Sequence, residues 1–175
     1  MVLLILDAQK LITTDKLYNF DVFVSNVKKL IEEARKNNME VAYCRHYDDQ
    51  GMLKGSDNFQ IYDGFKPEEN EKIFNKSVNS CFKESGLLEY LQSKGENEVI
   101  LAGLMTDYCV DASVKCGFEH GLKMIIPANT NSTFDNDIMS AETSYKYYNE
   151  FMWPNRYAEC IPFEDAIELI KNNAK

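Results

Sequence analysis

Three short apolar stretches constrain this chain more than any other feature: Val2–Leu6 (VLLIL), Glu98–Gly103 (EVILAG) and Leu122–Ile126. A strand without polar alternation has no solvent face, so it belongs in a parallel sheet covered by helices on both sides. Asp21–Lys36 carries apolar residues at 23, 24, 27, 30, 31 and 34, which follow the 3.6-residue period of an amphipathic helix. Further helices are expected at Leu87–Ser93, Thr106–Glu119, Ser140–Met152 and Phe163–Lys171, and further strands at Met39–Cys44 and Lys72–Asn75. Strand and helix alternate, which predicts an α/β fold: a three-layer, doubly wound domain with a central, mostly parallel sheet and right-handed crossovers. No repeat or linker divides residues 1–175, so one domain is expected.

Charge and cysteine usage narrow the function. Lys plus Arg total 19 against 28 Asp plus Glu, a net charge of −9, and such a surface repels a phosphate backbone. Nucleic acid is therefore not an expected partner. No apolar run approaches the roughly 20 residues that span a bilayer. The opening MVLLILDAQK lacks a basic leader and a small-residue cleavage site, and the five cysteines show no CxxC spacing. A cytoplasmic protein with reduced thiols is the expectation.

In a doubly wound sheet, ligands bind beyond the carboxyl ends of the strands. Asp7 and the segment after Gly103 lie at that edge. Much familiar chemistry is missing: there is no GxG, no Walker A sequence, no GxSxG, and no second carboxylate two residues after Asp7. Only His46 and His120 occur, with no HExxH and no Asp-x-His pair, so neither a metal nor another cofactor is expected. His46 follows a strand and reads either as a polar loop residue or as part of a site. His120 closes a helix, where a cation suits the macrodipole.

The segment AGLMTDYCVDAS carries the strongest chemical signal. Thr106 and Asp107 are candidate helix caps, and Cys109 falls in the first turn, where backbone N–H groups favour a thiolate. Cys109 reads either as a nucleophile or as a small buried hydrophobe. His120 cannot be its base in a continuous helix, because eleven residues separate the two by roughly 16 Å. Asp7 is the better candidate, since burial would raise its pKa toward that of the thiol. A cation between them would relieve their repulsion. Lys76, in IFNKSVNSCF, is placed to supply it or is a solvated surface charge.

Together LLILDAQ, AYCRHYDDQG, NKSVNSCF and AGLMTDYCV resemble the isochorismatase-like cysteine hydrolases, which include nicotinamidases. The resemblance implies a catalytic triad of Asp7, Lys76 and Cys109, a cis peptide at Leu104-Met105, and an oxyanion hole from the amides of Met105 and Cys109. Gln9, in the Asp-x-Gln pattern, is an expected substrate-binding residue; the ring of Tyr108, beside the nucleophile, reads either as a substrate-binding wall for a flat molecule or as packing outward at the helix start. Lys10-Leu11 departs from the acidic residue and Phe common there, so the pocket wall should differ. Nicotinamidases that bind a metal carry an Asp-x-His pair, which this sequence lacks. The activity implied is hydrolysis of a small amide-like C–N bond through a thioester. The alternatives are vinyl-ether hydrolysis with Asp7 as acid, and a noncatalytic interaction module. The long polar segment 45–67 is expected to cover a compact small-molecule substrate. The aromatic run in TSYKYYNEFMW (Tyr145, Tyr147, Tyr148, Phe151, Trp153) suggests a homo-oligomer, or packing on the chain's own sheet.

Overall fold

The structure, a computed structural model, describes residues 1–173. Seven strands form one sheet: β1 (Val2–Leu6), β2 (Glu40–His46), β3 (Lys72–Lys76), β4 (Glu98–Leu104), β5 (Lys123–Pro127), β6 (Asn131–Ser132) and β7 (Glu159–Ile161). Five helices flank it: α1 (Phe20–Lys36), α2 (Leu87–Ser93), α3 (Asp111–Glu119), α4 (Ala141–Lys146) and α5 (Phe163–Asn172). The strand order is β3-β2-β1-β4-β5-β7, with β6 beside the end of β4, and every pairing is parallel.

All five residues of β1 are at most 1% exposed, as its unbroken apolar run requires. Leu3 and Ile5 join α1 and α5 in one core, with Phe23, Val27, Leu30, Ile31 and Ala34 supplying the buried stripe of α1. Val2, Leu4 and Leu6 join Leu87 and Leu91 of α2 and Val114 of α3 in the other. Each large side chain buried this way contributes about 1.5–3 kcal/mol. No helix among the described residues is long and apolar enough to cross a membrane.

The chain first adds β2 and β3 on one side of β1, then returns to place β4 on the other. Loops leaving β1 and β4 therefore diverge and open a crevice at their carboxyl ends.

Several elements differ from expectation. β2 continues past Cys44 to His46 because its far edge pairs with β3, His46 opposite Lys76. On its other edge the side chain of Gln9 stands in for a strand: the His46 N–H donates to Oε1 (2.8 Å), and Nε2 donates to the His46 carbonyl (2.9 Å). The helix expected at Thr106–Glu119 starts as a wide π-helical turn, Thr106–Val110, before α3. The Tyr-rich helix divides likewise into α4, capped by Ser140, and a π-helical turn, Tyr147–Met152. Tyr145 and Trp153 are buried, leaving Tyr147 and Phe151 as the exposed large rings of that run.

Candidate active site

The end of β1 delivers Asp7. Its φ of 49° is left-handed, a conformation that Asp tolerates better than most residues, and its N–H donates to the Cys44 carbonyl at 2.8 Å. The carboxyl group is buried. Its Oδ2 accepts from Lys76 Nζ at 2.6 Å, while Oδ1 is buried with no hydrogen-bond partner among the described residues.

Lys76 closes β3 and is 2% exposed, so the solvated-charge reading of this residue is overturned. Its ammonium also donates to the Val78 carbonyl (3.1 Å) and to Cys109 Sγ (3.3 Å), and lies 3.5 Å from His46 Nδ1.

Cys109 arrives from β4 through three local devices. Gly103 has φ 141°, and a Cβ there would lie 2.0 Å from the Leu6 carbonyl oxygen, so only glycine lets β4 come this close to β1. The Leu104-Met105 peptide is cis. The π-helical turn that follows is pinned from the side: Thr106 Oγ1 donates to Asn131 Oδ1 (2.7 Å), and Asp107 Oδ1 accepts from Thr133 Oγ1 (2.5 Å). Asn131 Nδ2 is held in turn by Asn149 Oδ1 at 2.9 Å. Thr106 and Asp107 were expected to cap a helix; the turn has no side-chain cap, because both side chains are spent on these bonds.

Burial pushes the pKa of Asp7 above the usual carboxylate value, against the opposing pull of Lys76. Burial alone would lower Lys76, but the Asp7 carboxylate bonded to it, with a smaller contribution from the Cys109 sulfur, outweighs burial and holds the ammonium above its ordinary value. The Cys109 thiol is pushed up to about 12, first by burial and then by the charge of Asp7. The site holds a thiol beside a carboxylate with raised proton affinity, and Lys76 links the two.

A cavity of about 180 Å³ opens over these groups, lined by Asp7, Ile12, His46, Met52, Asn79, Leu104, Met105, Tyr108 and Cys109. Tyr108 stands at its wall, 52% exposed. Gln9, expected to bind substrate, is fully buried and is not among the residues that line the cavity. Its amide is consumed by His46 and by the Phe59 carbonyl (2.9 Å), so Gln9 ties the 45–67 segment to the sheet edge. Ile12, Met52 and Asn79 escaped the sequence reading because single apolar or amide residues in loops carry no spacing signal. The position of His46 after an apolar strand did point here.

Asp7, His46 and Cys109 each place one donor atom within 4.8 Å of the others, a spacing that would suit a metal ion. Lys76 Nζ already lies 2.6, 3.5 and 3.3 Å from those donors. The ammonium fills the cation position, and the donor set does not fit a metal in addition.

A family model described as the isochorismatase domain matches residues 1–154. The chain is 26% identical over 148 residues to a secreted isochorismatase effector of Verticillium dahliae, covering 82% of this chain and 77% of that protein. It is 24% identical over 123 residues to a maleamate amidohydrolase of Pseudomonas putida, covering 70% of this chain and 54% of that protein. Its fold matches the crystal structure of a cysteine hydrolase from Pseudomonas syringae with a TM-score of 0.90 at 18% identity, over 98% of this chain and 92% of the other. Since the family model spans most of its length, the chain belongs to the isochorismatase family of hydrolases.

Proposed function

We propose that residues 1–175 act as one amidase domain that hydrolyses the C–N bond of a small amide-like substrate through a thioester on Cys109. The observation that carries this reading is the buried, unpartnered Oδ1 of Asp7 beside a thiol, with Lys76 bonded to both side chains. As Sγ attacks the carbonyl carbon, Asp7 takes the thiol proton and Lys76 stabilises the charge on sulfur. The carbonyl π electrons move to oxygen, and the N–H groups of Met105 and Cys109 donate hydrogen bonds to that oxyanion, worth about 3 kcal/mol per donor. Asp7 returns the proton to the departing ammonia or amine. It then deprotonates water, which attacks the thioester, and the proton passes to sulfur as the carboxylic acid leaves.

The cavity suits a small molecule, since a site of about 150 Å³ holds benzene. A reducing, cytoplasmic setting suits the five free cysteines. Self-association through the exposed Tyr147 and Phe151 belongs to the same proposal.

Ammonia release over a panel of small amides and ureides, with intact-mass analysis during turnover, tests the mechanism. Cys109→Ala should lose at least about 1,000-fold in kcat, and the wild type should show a transient acyl adduct on Cys109. Full activity in Cys109→Ala together with its loss in Asp7→Asn would remove the thioester and leave Asp7 as the acid of a thiol-independent hydrolysis, the role it would have in vinyl-ether cleavage.

A further inference from the structure

Resting on the amidase reading above, we infer that this site selects neutral carboxamides with a compact apolar group and rejects amides that also carry a carboxylate. The cavity wall is Ile12, Met52, Leu104, Met105 and Tyr108, and its polar groups are Asp7, His46, Asn79 and Cys109. Among the described residues, no arginine or lysine lines it. The Lys76 ammonium beneath the floor has a fully inaccessible side chain, and its three hydrogens face Asp7, the Val78 carbonyl and Cys109. It has none left for a substrate anion.

The neighbouring cations are engaged elsewhere. The Arg45 guanidinium lies 4.1 Å over the Phe59 ring and donates from Nε to Asn75 Oδ1 at 3.0 Å. Lys54 sits 3.7 Å over Tyr47, and Lys10 pairs with Asp57 (2.9 Å) and Asp63 (3.2 Å).

A loop carboxylate, Asp48, stands behind His46, one of the lining residues. Asp48 Oδ2 is 4.0 Å from His46 Nε2, and the N–H groups of Met52, Gln50 and Gly51 hold the Asp48 carboxyl below its usual value, so it stays ionised. A second carboxylate entering beside Asp7 would lose water without gaining a lysine or arginine to pair with. A neutral apolar group meets Ile12, Met52 and the Tyr108 ring, and its amide reaches Asn79 Oδ1, which lies 4.0 Å from Cys109 Sγ. Maleamate, named for the Pseudomonas putida relative, bears the kind of carboxylate this wall does not accommodate.

Two matched pairs test this: butyramide against succinamate, and benzamide against 4-carbamoylbenzoate. The neutral member of each should exceed its anion by about 100-fold in kcat/KM, the scale expected when a charge is desolvated unpaired. Met52→Lys, which adds a cation to the wall, should narrow the ratio at least about tenfold, and Met52→Leu should leave it unchanged. Calorimetric titration of the Cys109→Ala protein with benzamide and 4-carbamoylbenzoate reads the pocket without turnover. Benzamide binding without binding of its carboxylate, when the wild-type protein releases no ammonia from any amide of the panel, would keep this inference and remove the amidase reading. Ammonia released as fast from the anions would keep the amidase and overturn the inference. Failure of the Cys109→Ala protein to prefer benzamide would overturn it as well.

Discussion

The floor and the mouth of the cavity are held by different kinds of contact. On the floor, Asp7 and Lys76 are 1% and 2% exposed, fixed at the ends of strands in parallel register and bonded to each other. At the mouth, Tyr108 is 52% exposed and Asn79 is exposed on a turn. Low local dielectric makes each floor group depend on its neighbours, because a buried charge without its partner is costly. The mouth side chains face water, and replacing one strands no partner. Damage on the floor should therefore reach stability, proton affinity and rate together, whereas damage at the mouth should reach only substrate fit.

Lys76→Met breaks the contrast at its strongest point. It leaves the Asp7 carboxylate buried without its cation, a loss of about 3–5 kcal/mol for a broken buried pair. Because Asp7 is already raised in the folded protein, folding favours its protonated form. The loss should be smallest below the ordinary carboxylate value and grow as pH climbs through the folded value. The rate should follow the same group. Activity in the wild type should rise with pH through a value above 3.8, where Asp7 becomes the carboxylate base, and Lys76→Met should move that limb upward by removing the charge that favours ionisation. Thermal melts across pH, with kcat/KM profiles of both proteins, check this. A limb that does not move would detach Lys76 from Asp7.

An intermediate effect is expected where the floor meets the turn. Thr106 Oγ1 donates to Asn131, which is itself tied to Asn149, so the wide turn carrying Cys109 is braced against β6. Thr106→Val keeps the shape and removes the donor; Asn131 Oδ1 still accepts from Asn149 Nδ2 (3.0 Å), so the expected cost is that of one lost hydrogen bond, about 0.5–1.5 kcal/mol. If the turn positions the attacking sulfur, kcat should fall roughly tenfold to a hundredfold with KM little changed, and Thr106→Ser should restore it. An equal loss in the serine variant would assign Thr106 to packing alone.

The sequence disclosed the floor and the sheet better than the mouth, for a physical reason. β1 and α2 fall at their expected bounds because an unbroken apolar run and a local period describe them. β6 and β7 have two and three residues and no such run, so only their long-range pairing defines them. The π-helical turn was equally hidden, since it depends on what Thr106 and Asp107 bond to more than twenty residues further along. Asp7 and Cys109 could be picked out as strand-end and turn residues, but the sequence could not show how deeply Lys76 is buried. Gln9 fits the family pattern, yet a motif does not reveal that its amide is spent on the ladder edge of β2.

The smallest expected effect lies at the mouth. Tyr108 makes no side-chain hydrogen bond recorded for the described residues, and its ring is half in water, so Tyr108→Leu removes a flat apolar wall and strands no buried partner. Stability should change by no more than about 0.5 kcal/mol, the usual scale for exposed substitutions. If the ring serves the substrate by stacking, KM for benzamide should rise about threefold to tenfold, the worth of an aromatic contact, while KM for butyramide stays close to wild type. The pH limb should not shift, because the ring contributes nothing to the charge of Asp7. Steady-state kinetics on those two amides across pH separates the cases. Equal losses on both substrates, or a displaced limb, would mean that Tyr108 supports the nucleophile turn and that floor and mouth act as one unit.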